Sequence, residues 1–158
     1  MAEQTPADDK KGILDKLIGY LLGNDKQEFL EVHIDAILID EIINIAIESH
    51  PNEFIALLEG KIEKEVLKIK GLVFLPGETS NEGAVMQTFM KPISTGTIGS
   101  VHSHPGFNAS PSNADLYFFS KNGLFHLIIA EPYNRNSIRA YNTVGAEIGY
   151  KIIEDYLN

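Results

Sequence analysis

The sequence contains no cysteine. This excludes disulfides, thiol nucleophiles and a closed cysteine-rich metal site, and it is compatible with a reducing compartment. No stretch approaches the ~18 consecutive apolar residues of a membrane span. The first residues, Met-Ala-Glu-Gln-Thr-Pro-Ala-Asp-Asp-Lys-Lys, carry acids early and no apolar segment after a basic start. They are not expected to act as a secretory signal, and the cytoplasm is the expected location. Basic residues are in short supply, and the net charge is −9. That argues against nucleic acid, whose phosphates need clustered Lys and Arg, and against anionic membrane surfaces. There is no glycine-rich phosphate loop, no Gly-x-Ser-x-Gly elbow, no internal repeat and no low-complexity tract.

What is present is ordinary globular material: 44% hydrophobic and 22% charged residues in a chain of 158. A chain of this size buries about two thirds of its unfolded surface and needs no covalent staple. The simplest division is an N-terminal extension, residues 1–27, followed by one domain over residues 28–158. Residues 1–10 are polar and expected to be disordered. Within the extension, Ile13, Leu14, Leu17, Ile18, Leu21 and Leu22 form one apolar stripe and predict an amphipathic helix over about residues 12–23. It would cap the domain core, self-associate, dock a partner or cover a substrate groove.

In the domain, residues 28–34 predict a short strand. Asp35 is the expected N-cap of a helix over residues 36–48, where Ile37, Leu38, Ile42, Ile43, Ile45 and Ile47 suggest a central, buried element. Pro51 stops it. Strands are expected at residues 54–58, 63–76, 84–90, 96–104, 124–130 and 137–141. Residues 146–157 are ambiguous and read best as a strand passing into a terminal helix. Together these predict an α/β domain with a mixed, mostly antiparallel sheet flanked by helices.

The chemistry concentrates in the run from His102 to Asp115. A strand continuing to residue 104 puts His102 and His104 side by side on one face and turns Val101 and Ser103 to the other. Pro105 ends the strand. A polar loop follows, and Ser112-Asn113-Ala114-Asp115 opens a helix that the loop can fold back over the strand end. Asp115 would then face the two imidazoles. Two histidines and a carboxylate with one position open are the donor set of a catalytic zinc, which holds three protein ligands and a water. Each piece also has a plainer reading. A His-x-His pair is often structural, and Ser-x-x-Asp is close to a helix capping box. Ser112 can do both jobs.

The pattern His-x-His-Pro, six residues, then Ser-x-x-Asp resembles the signature of the JAMM (MPN+) zinc metalloproteases, with the likeness strongest to the short archaeal-type members. It covers about residues 31–155. The family also has an upstream glutamate, matched here by Glu53. The resemblance implies a cytidine-deaminase-like fold and one zinc ion held by His102, His104 and Asp115. It also implies Glu53 as general base, at the head of an apolar strand where burial would strengthen it. Ser112 would donate to the developing oxyanion. The activity implied is hydrolysis of an isopeptide or peptide bond after the tail of a ubiquitin-like protein. With only residues 116–123 between Asp115 and the next strand, chain-linkage recognition is not expected, and a prokaryotic ubiquitin-like modifier or sulfur-carrier protein is the better partner. Its tail would add beside residues 84–90 or the loop through Ser94.

Other histidines have plainer expectations. His126 reads as a core histidine or one supporting a ligand, and His33 and His50 read as structural. Three rivals remain: a non-catalytic MPN-type scaffold or interaction module, a DNA-repair-associated relative, and a deaminase-like zinc enzyme. The acidic charge counts against the second, and the missing cysteine pair counts against the third.

Overall fold

The structure, a computed structural model, describes residues 29–74 and 96–154. The expected helix over 12–23, the strand over 84–90, the loop through Ser94 and any helix at the extreme C-terminus lie outside the described residues.

The described elements run β1 (Glu31–Asp35), α1 (Ala36–Ser49), β2 (Ile55–Glu63), β3 (Val66–Val73), β4 (Thr97–His104), α2 (Asn113–Phe119) and β5 (Phe125–Ala130). A 3-10 turn (Arg135–Ser137), β6 (Ile138–Asn142), β7 (Glu147–Ile148) and β8 (Lys151–Ile153) complete them. The eight strands form one sheet in the order β7-β6-β5-β4-β2-β3-β1-β8. It is mixed: β4 runs parallel to β5, and β1 parallel to β3 and β8, while the other neighbours are antiparallel.

Period-2 alternation splits the strand side chains between two cores. Ala56, Leu58, Val101, Phe125, Leu127 and Ile129 meet Leu38, Ile39, Ile42 and Ala46 of α1 on one face. Leu57 and Ile128 meet Phe118 and Phe119 of α2 on the other. The result is three layers, helix–sheet–helix. Asp35 caps α1 as expected, its carboxylate accepting from the amide of Ile37 at 2.8 Å. The helix is less buried than its aliphatic content suggests, because Ile37 and Ile47 are exposed at 64% and 53%. Only one of its faces meets the sheet.

β2 extends well past the expected residue 58 and takes in Glu63, which had been expected in the next strand. The hairpin turns on Lys64 and Glu65, both at positive φ (48° and 64°). Neither residue type advertises that conformation. Among the described residues after 146, Glu147–Ile148 and Lys151–Ile153 form the two short strands β7 and β8. At the centre, β4 and β5 approach closely because Gly99 carries no side chain: a Cβ there would overlap the carbonyl oxygen of Phe125.

Candidate active site

Three segments converge at one end of the sheet: the C-terminal end of β4, the N-terminus of α2, and the loop entering β2. β4 is buried along nearly its whole length, so the alternation of its side chains is fixed by the core. Ser100, His102 and His104 lie on the α2 face. Ser103 points away from them, and its hydroxyl accepts from the buried amide of Phe54 at 2.9 Å.

His102 Nε2 lies 3.1 Å from His104 Nε2 and 3.1 Å from Asp115 Oδ1, and His104 Nε2 lies 3.4 Å from Asp115 Oδ2. The three residues form the one cluster among the described residues able to offer a shared cation three ligand atoms. A tetrahedral ion with bonds of about 2.0–2.1 Å spaces its ligands by about 3.3 Å, so the donor separations fit zinc as they stand. The nitrogen and oxygen donor set fits it chemically. The Nδ1–H of His104 donates to the carbonyl of Asn108 at 2.8 Å, which leaves Nε2 as the atom offered to the centre. His102 is 5% exposed, and its Nδ1 is buried without a hydrogen-bond partner.

The capping reading of Ser112 and Asp115 is borne out. The Ser112 hydroxyl accepts from the Asp115 amide at 3.1 Å, and Asp115 Oδ2 accepts from the Ser112 amide at 2.7 Å. This capping box is what turns the carboxylate toward the histidines. Burial pushes the Asp115 pKa up, but hydrogen bonds from His102 and His104 outweigh it and hold the carboxyl far below its usual range. His104 is raised, chiefly by its hydrogen bond to Asp115. The Asn108 carbonyl and the charges of Asp115 and Glu53 add to this, against the opposing effect of burial.

Glu53, His104, Ser112 and Asp115 line one cleft of about 470 Å³, together with Pro105, Phe107 and Asn108. His102 sits behind them. Glu53 lines this cleft, with one correction to the expectation: it is exposed rather than buried.

His126 is a core histidine in contact with the site's support. It is fully buried, stacked on Phe119 at 4.2 Å between centroids, and its Nδ1 lies 2.8 Å from Ser100 Oγ. Burial lowers its pKa to about 3, and the carbonyls of Gly123 and Phe119 offset only part of this. His33 pairs with Glu31 at 2.8 Å, away from the cleft. His50 is nearer the site than expected, with Nδ1 2.9 Å from the Tyr133 hydroxyl. Tyr133 was not singled out by sequence reasoning: it follows a Glu-Pro turn, and nothing in that pattern marks its hydroxyl.

The sequence and the fold have counterparts among known proteins. Residues 35–143 match the family model of prokaryotic homologues of the JAB domain. A probable metalloprotease of Haloferax volcanii is 31% identical over 121 residues, covering 72% of this chain and 74% of that protein. A solved structure described as a JAMM metalloprotease-like zinc site in the proteasome and signalosome is 33% identical. It superposes with a TM-score of 0.60 over 79% of this chain and all of its own. A JAB1/MPN-domain protein from Archaeoglobus fulgidus is 34% identical, with a TM-score of 0.61 over 77% of this chain and 99% of its own. The chain is a member of the JAMM/MPN family, in its branch of prokaryotic JAB-domain homologues.

Proposed function

We propose that this chain is a zinc-dependent peptidase that hydrolyses the peptide or isopeptide bond following the C-terminal tail of a ubiquitin-like modifier or sulfur-carrier protein. The observation that carries the reading is the convergence of Glu53, His104, Ser112 and Asp115 on one cleft, with His102 completing a three-donor cluster behind it. His102, His104 and Asp115 would hold the ion. When bound, it supplies Lewis acidity toward the scissile carbonyl and a water ionised near neutral pH.

The chain's own residues do the rest. Glu53 takes a proton from the attacking water and delivers it to the leaving nitrogen as the C–N bond breaks; the second water proton, left on the new carboxyl group, also passes to the amine, so the products are a carboxylate and an ammonium. The Ser112 oxygen already accepts from the Asp115 amide. Its own hydrogen is not committed to any acceptor among the described residues, so it can donate to the carbonyl oxygen as negative charge develops there. The Asn108 carbonyl keeps His104 in the tautomer that presents Nε2.

The exposed Glu53 and Phe107 at the edge of the cleft support a polypeptide tail as substrate, since an extended chain could reach the site from the surface. The test combines metal analysis with cleavage. The purified protein should carry about one zinc per chain, and it should cut a modifier fused through its tail to a reporter protein. A chelator should stop the reaction and added zinc restore it. Absence of stoichiometric metal together with absence of cleavage would identify a non-catalytic scaffold instead.

A further inference from the structure

Glu53 lies on an exposed loop, and general-base chemistry demands that the position of its carboxylate relative to the candidate ligands be fixed with a tolerance of about half an ångström. Among the described residues, two sets of contacts flank Glu53 on that loop. Downstream of Glu53, Phe54 is clamped to β4: its amide donates to Ser103 Oγ at 2.9 Å, and its carbonyl accepts from the Ser103 amide at 3.0 Å. Upstream, His50 reaches Tyr133, whose hydroxyl donates to the backbone carbonyl of His104 at 3.3 Å. Since the tyrosine hydrogen goes to that carbonyl, the His50 contact has Nδ1–H donating to the tyrosine oxygen. Glu131 Oε1, 3.7 Å from His50 Nδ1, favours the same tautomer.

One hydroxyl thus joins the loop of Glu53 to the main chain of His104. The same carbonyl also accepts from the Gly106 amide at 2.9 Å, and the Glu131 amide donates to the Gly106 carbonyl at 2.8 Å. Tyr133 is placed for this at a conformational cost. It is 7% exposed and sits at φ 57°, a left-handed conformation that a bulky aromatic residue adopts only when its surroundings require it. His50, by contrast, has a side chain 43% exposed. Without the tyrosine contact little else among the described contacts would hold its ring.

We infer that Tyr133 is a positioning residue for the general base: its hydroxyl, through His50 on one side and the His104 carbonyl on the other, holds the Glu53 loop in register with the ligand cluster. This rests on the functional reading above. It assigns Tyr133 and His50 roles that neither the ligand set nor the catalytic pattern includes.

The test is Tyr133→Phe, which keeps the ring and removes the bridging oxygen. It is assayed with the zinc-loaded protein and the modifier–reporter fusion, and repeated in a Glu53→Gln background under single-turnover conditions. The expected result is a kcat lower by about 10- to 100-fold, with KM and zinc content unchanged. His50→Ala should give a similar loss. Because the tyrosine acts through Glu53, Tyr133→Phe should cost nothing further when Glu53 is already Gln. An equally large loss in both backgrounds, or a loss that tracks loss of zinc, overturns the inference. So does an active wild type matched by an equally active Tyr133→Phe. A zinc-loaded wild type that cleaves none of the fusions overturns the functional reading instead, and the role of Tyr133 with it.

Discussion

Asp115 Oδ2 accepts a hydrogen bond from the Ser112 amide at 2.7 Å while lying 3.4 Å from His104 Nε2. One carboxylate both completes a helix cap and faces the two histidines, so the start of α2 and the candidate metal site cannot be altered independently. Ser112→Ala should expose this coupling. Loss of the cap should lower stability by about 1 kcal/mol, while loss of the oxyanion donor should lower kcat by roughly 10²–10³-fold. Chemical denaturation and steady-state kinetics on the same preparation separate the two. A stability loss with kcat unchanged would leave Ser112 as a cap alone.

His104→Ala should abolish stoichiometric zinc binding, because His102 and Asp115 alone supply too few ligands to hold the ion. Glu53→Gln should do the opposite: zinc retained, turnover lowered by roughly 10²–10⁴-fold. Metal analysis beside single-turnover cleavage checks both. Parental activity in Glu53→Gln would show that another group moves the proton.

The ligand cluster makes a prediction about pH with a definite sign. A metal needs His104 neutral, and His104 is raised above the ordinary 6.5, so protons compete for it already near neutrality. Zinc affinity should fall as the pH drops through that raised value, with about one proton released per ion bound. Titration calorimetry in buffers of different ionisation enthalpy measures this, and an affinity flat from pH 8 to 6 would refute it. The metal-free protein should behave the other way. The His104 contribution to its stability is fully present below 6.5 and is lost as the pH rises through the raised value. The Asp115 contribution is present above 3.8 and disappears only as the pH falls through its depressed value. Chelator-treated protein should therefore gain from this pair on mild acidification.

His126 pulls stability in the opposite direction. Its pKa is depressed to about 3, so between about 3 and 6.5 the unfolded chain binds a proton that the folded chain refuses. At about 1.4 kcal/mol per unit, acidification across that window removes on the order of 5 kcal/mol. His126→Leu should be less stable at neutral pH, since Ser100 Oγ loses its partner, but its stability should change less with acidification. Urea unfolding of metal-free protein at several pH values is the check, with parallel curves for parent and variant as the contrary outcome.

Much of the site was legible because its parts obey local rules. The alternation around Val101 and Ser103 assigns His102 and His104 to one face, and Ser112 announces a helix start whichever role Asp115 plays. The cores of β4 and β5 then hold those local choices in place. What stayed hidden depends on the chain returning from a distance or on backbone states without a residue signature. The turn at Lys64–Glu65 uses left-handed residues where no glycine marks it. The exposure of Ile37 and Ile47 follows from α1 meeting the sheet along a single face. Glu53 could be named by resemblance, but its exposed setting, and the contacts from Ser103 and Tyr133 that hold its loop, come from segments far apart in sequence.

All three candidate ligands belong to the single short run from His102 to Asp115. Closing so small a loop costs an unfolded chain little entropy, so part of the ion's grip can survive denaturation. Zinc should then raise the melting temperature by less than its affinity for the native protein alone would give. Metal retention would then be a poor gauge of whether the chain is folded.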